Sequence, residues 1–197
     1  MPSPDHNTYN APYTGDQLNK VAFPLGGIGA GMICLEGTGA FSHVSVRGHM
    51  DFYHAPEMYA ALHIKGETSV SKVLEGPVPT WKHFGPAGTG NGGRNTVYGL
   101  PHCGKATFNT RFPFGLIHLE DPDIPLQIQI TGWSPFMPGN ADDSSLPVAG
   151  LEYAFSNPTD QAQEAVFSFH AENFMNQQTP GQGVRSTRNG FVLWQPG

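Results

Sequence analysis

The stretch Pro125-Leu-Gln-Ile-Gln-Ile-Thr-Gly-Trp133 decides the fold, because its apolar and polar residues alternate. One face carries Leu126, Ile128 and Ile130, and the opposite face carries two glutamines. A period of two is typical of a β-strand with one face in the core and the other in solvent. The pattern therefore predicts a half-buried strand over residues 125–133.

The segment that follows this strand is rich in residues that restrict the backbone. Residues 134–149 read Ser-Pro-Phe-Met-Pro-Gly-Asn-Ala-Asp-Asp-Ser-Ser-Leu-Pro-Val-Ala. Proline fixes its own φ angle, and Asn, Asp and Ser bond to nearby backbone amides in turns. We predict an ordered loop of fixed shape, in which Asp142 and Asp143 stabilise turns and do not form a catalytic pair.

Several other segments alternate in the same way and are separated by turn-forming residues. Charged residues make up only 13% of the chain, whereas 25 Gly and 18 Pro favour short strands with long loops over a helical bundle. We predict an all-β fold, a two-sheet antiparallel β-sandwich with long loops. The predicted strands are residues 28–35, 40–47, 58–65, 69–75, 105–112, 114–120, 125–133, 148–156, 164–171 and 190–195.

The chain of 197 residues is long enough for one sandwich domain. Residues 1–22 are polar and proline-rich, and we interpret them as an N-terminal arm or edge segment. We assign the sandwich to residues 23–197, with a long loop at 76–104. Because a strand pattern runs almost to the last residue, we expect the chain to be a fragment whose domain is truncated at its C-terminal end.

Composition excludes several classes of function. A net charge of −6 with only 10 scattered Lys and Arg excludes nucleic acid as a partner. No apolar run reaches the length of a membrane span, and the first residues lack the pattern of a signal peptide. These features predict a cytoplasmic protein. Cys34 and Cys103 are too few for a disulfide framework, and we predict two reduced, partly buried thiols.

Two motifs resemble ligand sites without matching their spacing. The run Gly26-Gly-Ile-Gly-Ala-Gly31 lacks the spacing of a dinucleotide loop and leads into a strand, so we interpret its glycines as allowing a sharp bend and close backbone approach. His49, Asp51 and His54 are metal-ligand types, but their spacing fits no standard site. We therefore predict no metal site and no cofactor.

The segment Arg47-Gly-His-Met-Asp-Phe-Tyr-His-Ala-Pro56 combines charged and aromatic residues at the end of a predicted strand. Polar groups beside aromatic faces suit a carbohydrate, whereas a turn network or a structural salt bridge would use the same residues. We keep both interpretations open. The candidate residues for a substrate rim or an interdomain surface are Arg47, His49, Asp51, Tyr53, Trp133 and Phe136.

Two segments carry a family resemblance. Phe23-Pro-Leu-Gly-Gly-Ile-Gly-Ala-Gly31 resembles the opening motif of the N-terminal domain of glycoside hydrolase family 116, the non-lysosomal glucosylceramidase or bile acid β-glucosidase family. The run from Pro125 to Val148 resembles a second, longer motif of that family. Phe112-Pro-Phe114 and Ser156-Asn-Pro158 lie in the expected order, so the resemblance spans roughly residues 23–173.

The resemblance implies a β-sandwich that precedes an (α/α)6 barrel in the same protein. It places the catalytic carboxylates for retaining hydrolysis of β-glucosides in the barrel, and no residue of this chain matches them. We therefore expect a non-catalytic domain whose partners are the barrel and, in the full-length enzyme, a carbohydrate or glycolipid substrate. The alternative is a stand-alone, lectin-like sandwich that binds sugar through exposed aromatics such as Trp81, Trp133 or Tyr53.

Overall fold

The fold is described from a computed structural model of the 197-residue chain. The structure describes residues 9–46, 48–51, 55–80, 82, 97–174, 181 and 183–194. Among these residues, strands dominate and the helical segments are short. A 3₁₀ helix spans Gly15–Lys20, and the α-helix α1 spans Ala141–Ser144. The strands are β1 Tyr13–Thr14, β2 Ala22–Leu25, β3 Met32–Glu36, β4 Phe41–Ser45, β5 Met58–Ile64, β6 Val70–Val73, β7 Lys105–Arg111, β8 Phe114–Glu120, β9 Gln127–Trp133, β10 Gly150–Ser156, β11 Ala165–Ala171, β12 Gly183–Thr187 and β13 Gly190–Trp194.

The largest sheet has five antiparallel strands in the order β1-β7-β8-β9-β10. Its register aligns apolar residues from neighbouring strands into rows across the core face. In one such row Phe108 pairs with Ile117, which pairs with Ile130, which pairs with Tyr153. The first three of these side chains are almost fully buried, so the alternation read from the sequence places them in the core.

The remaining strands pair in three smaller groups. These groups are β11-β5-β6, β2-β3-β4 and the hairpin β12-β13. Side chains from the first two groups meet those of the five-stranded sheet in a single apolar core. The predicted all-β sandwich is confirmed, although hydrogen bonding divides its strands more finely than a two-sheet description.

Two glycines on adjacent strands leave room for the β2-β3-β4 sheet to pack closely. Gly115 and Gly132 are directly paired across β8 and β9. A Cβ on Gly132 would lie 2.7 Å from the Leu35 side chain, and one on Gly115 would lie 3.0 Å from the Phe23 ring. The absence of these two side chains therefore sets how closely β2 and β3 approach the core sheet.

Each of the ten predicted strands overlaps one strand of the structure, and three further strands were not predicted. β1 lies within the predicted arm and adds an edge strand to the large sheet, with Tyr13 paired to Phe108. β2 contains Pro24, which has no backbone N–H to donate to a neighbouring strand. The proline is tolerated because β2 is an edge strand that pairs only with β3. β12 is the third, and it forms a hairpin with the predicted final strand.

Both cysteines are buried, and they are not joined to each other. Burial, reinforced by the nearby charge of Asp121, raises the pKa of the Cys103 thiol from an ordinary value of 9.0 to about 12. Burial also raises the pKa of Cys34. The two thiols are unpaired, and both are buried where the sequence predicted partial burial; neither has the low pKa of a reactive cysteine. In the part of the chain described, no helix is long and apolar enough to span a bilayer.

Candidate functional site

The glycine run connects β2 to β3 and lies between two other loops. A Cβ on Gly27 would lie 2.1 Å from the carbonyl oxygen of Leu146. At the other end of the run, a Cβ on Gly31 would lie 2.5 Å from the carbonyl oxygen of Ser45, and its φ of +97° is in the region that favours glycine. The glycines thus allow the close backbone approach predicted from the sequence.

Hydrogen bonds join the glycine run to the loop at 134–149. The amide of Ile28 donates to the carbonyl oxygen of Ser144 at 2.8 Å, and the amide of Gly26 donates to Ser134 Oγ at 3.1 Å. The two segments that carry the family resemblance are therefore neighbours in space. Their contact is made mainly by backbone atoms.

The acidic pair of this loop stabilises the one-turn helix α1. Asn140 caps it: its side-chain Oδ1 accepts a hydrogen bond from the backbone amide of Asp143 at 3.1 Å, and its side-chain Nδ2 donates to Asp143 Oδ2 at 2.7 Å. The carbonyl oxygen of Asp142 accepts from the amide of Ser145 at 3.2 Å. The prediction that these aspartates stabilise turns is confirmed for Asp143, whose side chain bonds to Asn140, whereas the hydrogen bond at Asp142 is made by its backbone carbonyl.

Ser144 is the buried centre of the loop. Its side chain is almost completely shielded from solvent. Its Oγ accepts from the amide of Met137 at 2.9 Å and donates to the carbonyl oxygen of Asn140 at 2.7 Å. Since its own carbonyl also accepts from Ile28, this residue fixes both the shape of the loop and its position against the glycine run. The sequence does not single out Ser144, because a serine in a polar loop has no distinctive pattern.

Trp133 lies at the end of β9, where β8 and β10 each present a specific neighbour. It pairs with Phe114 on one side and Gly150 on the other. A Cβ on Gly150 would lie 1.9 Å from the indole, so the ring covers this glycine. The side chain is still 38% exposed. The absence of a side chain at Gly150 therefore leaves the space that the indole of Trp133 occupies at the surface.

Phe136 extends this surface onto the loop. Its ring meets that of Phe112 edge-on at a centroid distance of 4.9 Å, and both rings are about half exposed. The amide of Ser134 donates to the carbonyl oxygen of Pro113 at 3.2 Å, which ties the loop to the β7-β8 turn. We call the resulting exposed surface the aromatic end; it comprises Phe112, Phe114, Trp133, Phe136 and Met137.

The candidate residues near position 50 lie on the other side of the glycine run. The amide of Asp51 donates to Ser45 Oγ at 2.9 Å, and the carbonyl of Ser45 is the atom against which Gly31 packs. The amide of His49 donates to the carbonyl of Val46 at 3.1 Å. The structure thus places His49 and Asp51 on an exposed turn adjoining the glycine run. Arg47, Tyr53, His54 and Trp81 lie outside the described residues.

The other adjacent acidic residues of the sequence, Glu120 and Asp121, are held in ion pairs. Lys105 contacts both carboxylate oxygens of Glu120 at 2.9 Å, and Lys72 lies 3.1 Å from Asp121. Burial acts to raise the pKa of Asp121, but hydrogen bonds from the Asp123 amide, Lys72 and the Gly104 amide outweigh it and lower the pKa. A lowered pKa is the opposite of what a general acid at neutral pH needs.

A buried polar cluster lies elsewhere in the sandwich. Lys82 forms an ion pair with Glu36, and both side chains are almost fully buried. The ring of Tyr98 lies 5.6 Å from Lys82 Nζ, and burial raises the pKa of this tyrosine. His102 donates from Nδ1 to the carbonyl of Leu100 at 2.7 Å, while its Nε2 lies 3.4 Å from Glu75. Among the described residues, no cluster of three metal-binding side chains occurs.

The sequence of the chain is similar to that of a known domain family. A family model described as beta-glucosidase 2, glycosyl-hydrolase family 116 N-term, matches residues 22–192. The match includes both the glycine run and the aromatic end. No individual curated protein matches the chain.

Proposed function

Because the chain belongs to the N-terminal domain family of glycosyl-hydrolase family 116, we propose that it is the non-catalytic sandwich of a retaining β-glucosidase-type enzyme. In this proposal the aromatic end packs on the (α/α)6 catalytic domain of the same protein. The loops on either side of the glycine run then help to wall the substrate cleft. The sugar enters that cleft as part of a β-glucoside or a glycolipid.

The observation that carries this proposal is the construction of the aromatic end. Exposed aromatic residues stand on a sheet end and on a loop that is fixed by proline, by α1 and by Ser144. Aromatic residues and methionine are enriched in the cores of protein interfaces, whereas charged residues are depleted there. A rigid apolar surface of this kind suits a partner domain that binds in one orientation.

The chemistry of the acidic residues also supports a non-catalytic role. Retaining glycosidases need two carboxyl groups about 5 Å apart that act across one bond, with one of them protonated. The pair Asp142-Asp143 is engaged in a one-turn helix, and the pair Glu120-Asp121 is engaged in lysine ion pairs. In this proposal the carboxylates that carry out hydrolysis are supplied by the catalytic domain.

The first experiment compares the 197-residue chain with the full-length protein on an aryl β-glucoside. The full-length protein is expected to hydrolyse the substrate, and the chain alone is expected to show no turnover. Turnover by the chain alone would overturn the proposal. An inactive full-length protein would also contradict the assignment as a β-glucosidase-type enzyme.

A second experiment tests the proposed surface. In the full-length protein, Phe136→Lys places a charge in the aromatic end and is expected to lower kcat/KM and the cooperativity of unfolding between the two domains. The matched control is Phe191→Lys, which alters a similarly exposed phenylalanine on the β12-β13 hairpin. Equal effects of the two substitutions would contradict the placement of the interface at the aromatic end.

The second candidate function is a lectin-like one, and the observation that favours it is the partly exposed indole of Trp133. An aromatic face beside polar groups can stack on a sugar ring. Titration calorimetry of the chain against glucosides and oligosaccharides separates the two functions. Tight binding that is lost in Trp133→Ala would favour the lectin-like function, whereas absence of binding agrees with the non-catalytic domain. The cytoplasmic location predicted from the sequence stays a prediction.

A further inference from the structure

A cleft lies at the end of the five-stranded sheet that is opposite the aromatic end. It has a volume of about 280 Å³ and is lined by residues of the 3₁₀ helix, the turn between β3 and β4, residues 77–80 and the beginning of β7. β7 begins here at Lys105, and its other end, Arg111, pairs with Phe114 of the aromatic end. The length of this strand, roughly 20 Å, therefore separates the cleft from the surface that we propose to contact the catalytic domain.

Close backbone contacts hold the walls of the cleft together. Leu18 is buried and anchors the 3₁₀ helix, and a Cβ on Gly37 would lie 2.8 Å from the carbonyl oxygen of Leu18. A Cβ on Gly76 would lie 2.5 Å from the Cβ of Ala106. The amide of Gly76 also donates to the carbonyl oxygen of Thr38 at 2.7 Å. Because neither glycine has room for a side chain, the fold itself fixes the shape of the cleft.

Thr38 lines the cleft with a hydroxyl that the fold does not use. The residue is only 4% exposed. Its hydroxyl makes no hydrogen bond to any residue that the structure describes. Buried hydroxyl groups are nearly always hydrogen-bonded, because burial without a partner is unfavourable. Since protein surrounds Thr38 on its other sides, a partner for this hydroxyl has to come from the cleft.

The 3₁₀ helix contributes two more polar side chains to the same cleft. Asp16 and Asn19 are three residues apart, and side chains at this spacing lie above one another in a 3₁₀ helix. Both residues line the cleft, and within the described part of the chain neither side chain makes a hydrogen bond or an ion pair. The cleft thus brings together a carboxylate, a carboxamide and a hydroxyl, none of which has a partner in the fold.

Another wall of the cleft is apolar. It consists of residues 77–79, Pro-Val-Pro, whose two prolines have no backbone N–H to donate. Lys105 also lines the cleft, but its ammonium contacts both carboxylate oxygens of Glu120 at 2.9 Å. The negative charge of Asp16 is therefore not paired inside the cleft, and a ligand has to supply hydrogen-bond donors to it.

These features together select a class of ligand. An anion would be repelled by Asp16, and a simple amine would satisfy Asp16 alone. A metal ion would find too few ligands, since the described residues contain no group of three metal-binding side chains. An apolar ligand would leave Asp16, Asn19 and Thr38 without partners. A sugar ring meets all the requirements, because it carries hydroxyl groups at its edge and C–H groups on its faces.

We propose that this cleft is a binding site for a single sugar ring. Two hydroxyl groups of the ring donate to Asp16, further hydroxyl groups bond to Asn19 and Thr38, and a C–H face packs on residues 77–79. The volume is close to the lower limit of small-molecule sites and suits one ring better than an extended chain. The proposal does not depend on the proposed enzyme function, and it differs from the lectin-like function because Trp133 takes no part.

Titration of the ¹⁵N-labelled chain with sugars, followed by amide chemical shifts, tests the proposal. The probes are the methyl glycosides of glucose, galactose, mannose and xylose, with glycerol as a polyol that has no ring. At least one glycoside is expected to bind saturably in the millimolar range and to shift amides in residues 15–19, 37–38 and 104–106. Glycerol is expected to cause no saturable shift. The absence of saturable shifts in these segments with all of the glycosides would overturn the proposal, and so would equal binding of glycerol.

Asp16→Asn tests the carboxylate at a position where the side chain has no partner in the fold. It is expected to raise the Kd of the glycoside by roughly tenfold or more, because hydrogen bonds to a charged group are the stronger ones. The matched control is Asp160→Asn, which changes an exposed aspartate in the loop between β10 and β11 and is expected to leave the Kd unchanged. Equal effects of the two substitutions would contradict the placement of the sugar in the cleft.

Thr38→Val separates sugar binding from a structural role. Valine keeps the branched shape and removes the hydroxyl, so the glycoside is expected to bind several-fold more weakly while the midpoint of urea unfolding stays the same or rises. A lower midpoint with unchanged binding would show that the fold uses the hydroxyl, and would overturn the proposal. Trp133→Ala is expected to leave this binding intact. Loss of binding in Trp133→Ala would place the sugar at the aromatic end instead.

Discussion

The amide of Ile28 donates a hydrogen bond of 2.8 Å to the carbonyl oxygen of Ser144, and this bond joins two loops that are far apart in the sequence. Ile28 belongs to the glycine run between β2 and β3, and Ser144 ends α1 in the loop after β9. The contact is short because Gly27 has no side chain between the two backbones. The loop that carries part of the aromatic end is therefore packed against the glycine run and hydrogen-bonded to it.

Gly27→Ala is expected to displace the loop at 134–149. The added Cβ would lie 2.1 Å from the carbonyl oxygen of Leu146, and a backbone atom cannot turn aside as a side-chain end can. Overpacking of this kind costs about 1–3 kcal/mol. Urea unfolding measures the loss of stability, and proteolysis or hydrogen exchange measures the loosening of the loop.

Gly29→Ala is the matched control for this substitution. Gly29 has open space around it but a φ of +76°, so alanine there meets backbone strain and no neighbour. It is expected to lower the free energy of unfolding by about 1 kcal/mol without increasing hydrogen exchange in residues 134–149. If both variants loosen the loop equally, the close contact of Gly27 is not what holds it.

Ser144→Ala tests the hydrogen bonds at the centre of the loop. The substitution leaves the amide of Met137 without its Oγ partner in a partly buried place, whereas the carbonyl of Asn140 keeps the hydrogen bond from the Ser144 amide. One unsatisfied buried group costs about 1–3 kcal/mol, so we expect a loss near the lower end of this range, measured as the midpoint of urea unfolding. Ser145→Ala removes an exposed Oγ that contacts only the carbonyl of Asp142 and is expected to cost less than about 0.5 kcal/mol.

The sequence predicts the central sheet well because one face of each strand is buried. The predicted strands 105–112, 114–120 and 148–156 differ from β7, β8 and β10 by at most two residues at an end. Apolar and polar residues alternate strongly in a strand with one face in solvent, because a shift of the strand's register by one residue would expose every apolar side chain. The pairing of Gly115 with Gly132 depends on the register between strands, and a single strand's pattern does not contain that register.

The candidate site is only partly predictable for a related reason. The shape of the loop at 134–149 follows from its prolines and turn residues, which act locally. Its contact with Gly27 and the burial of Ser144 depend on a segment about a hundred residues away, and no local pattern reports such a contact. The sequence identifies Trp133 as a candidate, but the place of Gly150 beneath its indole follows only from the pairing of β9 with β10.

Breaking the buried ion pair between Glu36 and Lys82 is expected to destabilise the fold strongly. Both side chains are almost fully buried, so either single change, Glu36→Gln or Lys82→Met, leaves an uncompensated charge. The expected loss is about 3–5 kcal/mol for each single variant in chemical unfolding. The double variant removes both charges and is expected to recover a large part of this loss. Additive losses in the double variant would contradict direct pairing of the two groups.

Cys103 is expected to make the protein less stable at alkaline pH. Burial, reinforced by the charge of Asp121, raises the pKa of the folded thiol to about 12, while the unfolded thiol has an ordinary pKa near 9.0. Below pH 9 both states keep the proton, and this contribution is fully present. Between about pH 9 and 12 the unfolded state loses its proton first, so stability falls as the pH rises, by about 1.4 kcal/mol per pH unit.

Cys103→Ala isolates this contribution from the other groups that ionise at high pH, such as Tyr98 and Cys34, whose pKa values burial also raises. The variant loses packing at a buried position and is expected to be less stable than the wild type near pH 7. Its free energy of unfolding is nevertheless expected to fall less steeply between about pH 9 and 11, with the difference in slope equal to one proton. Parallel curves for the two proteins would show that Cys103 ionises alike in the folded and unfolded states.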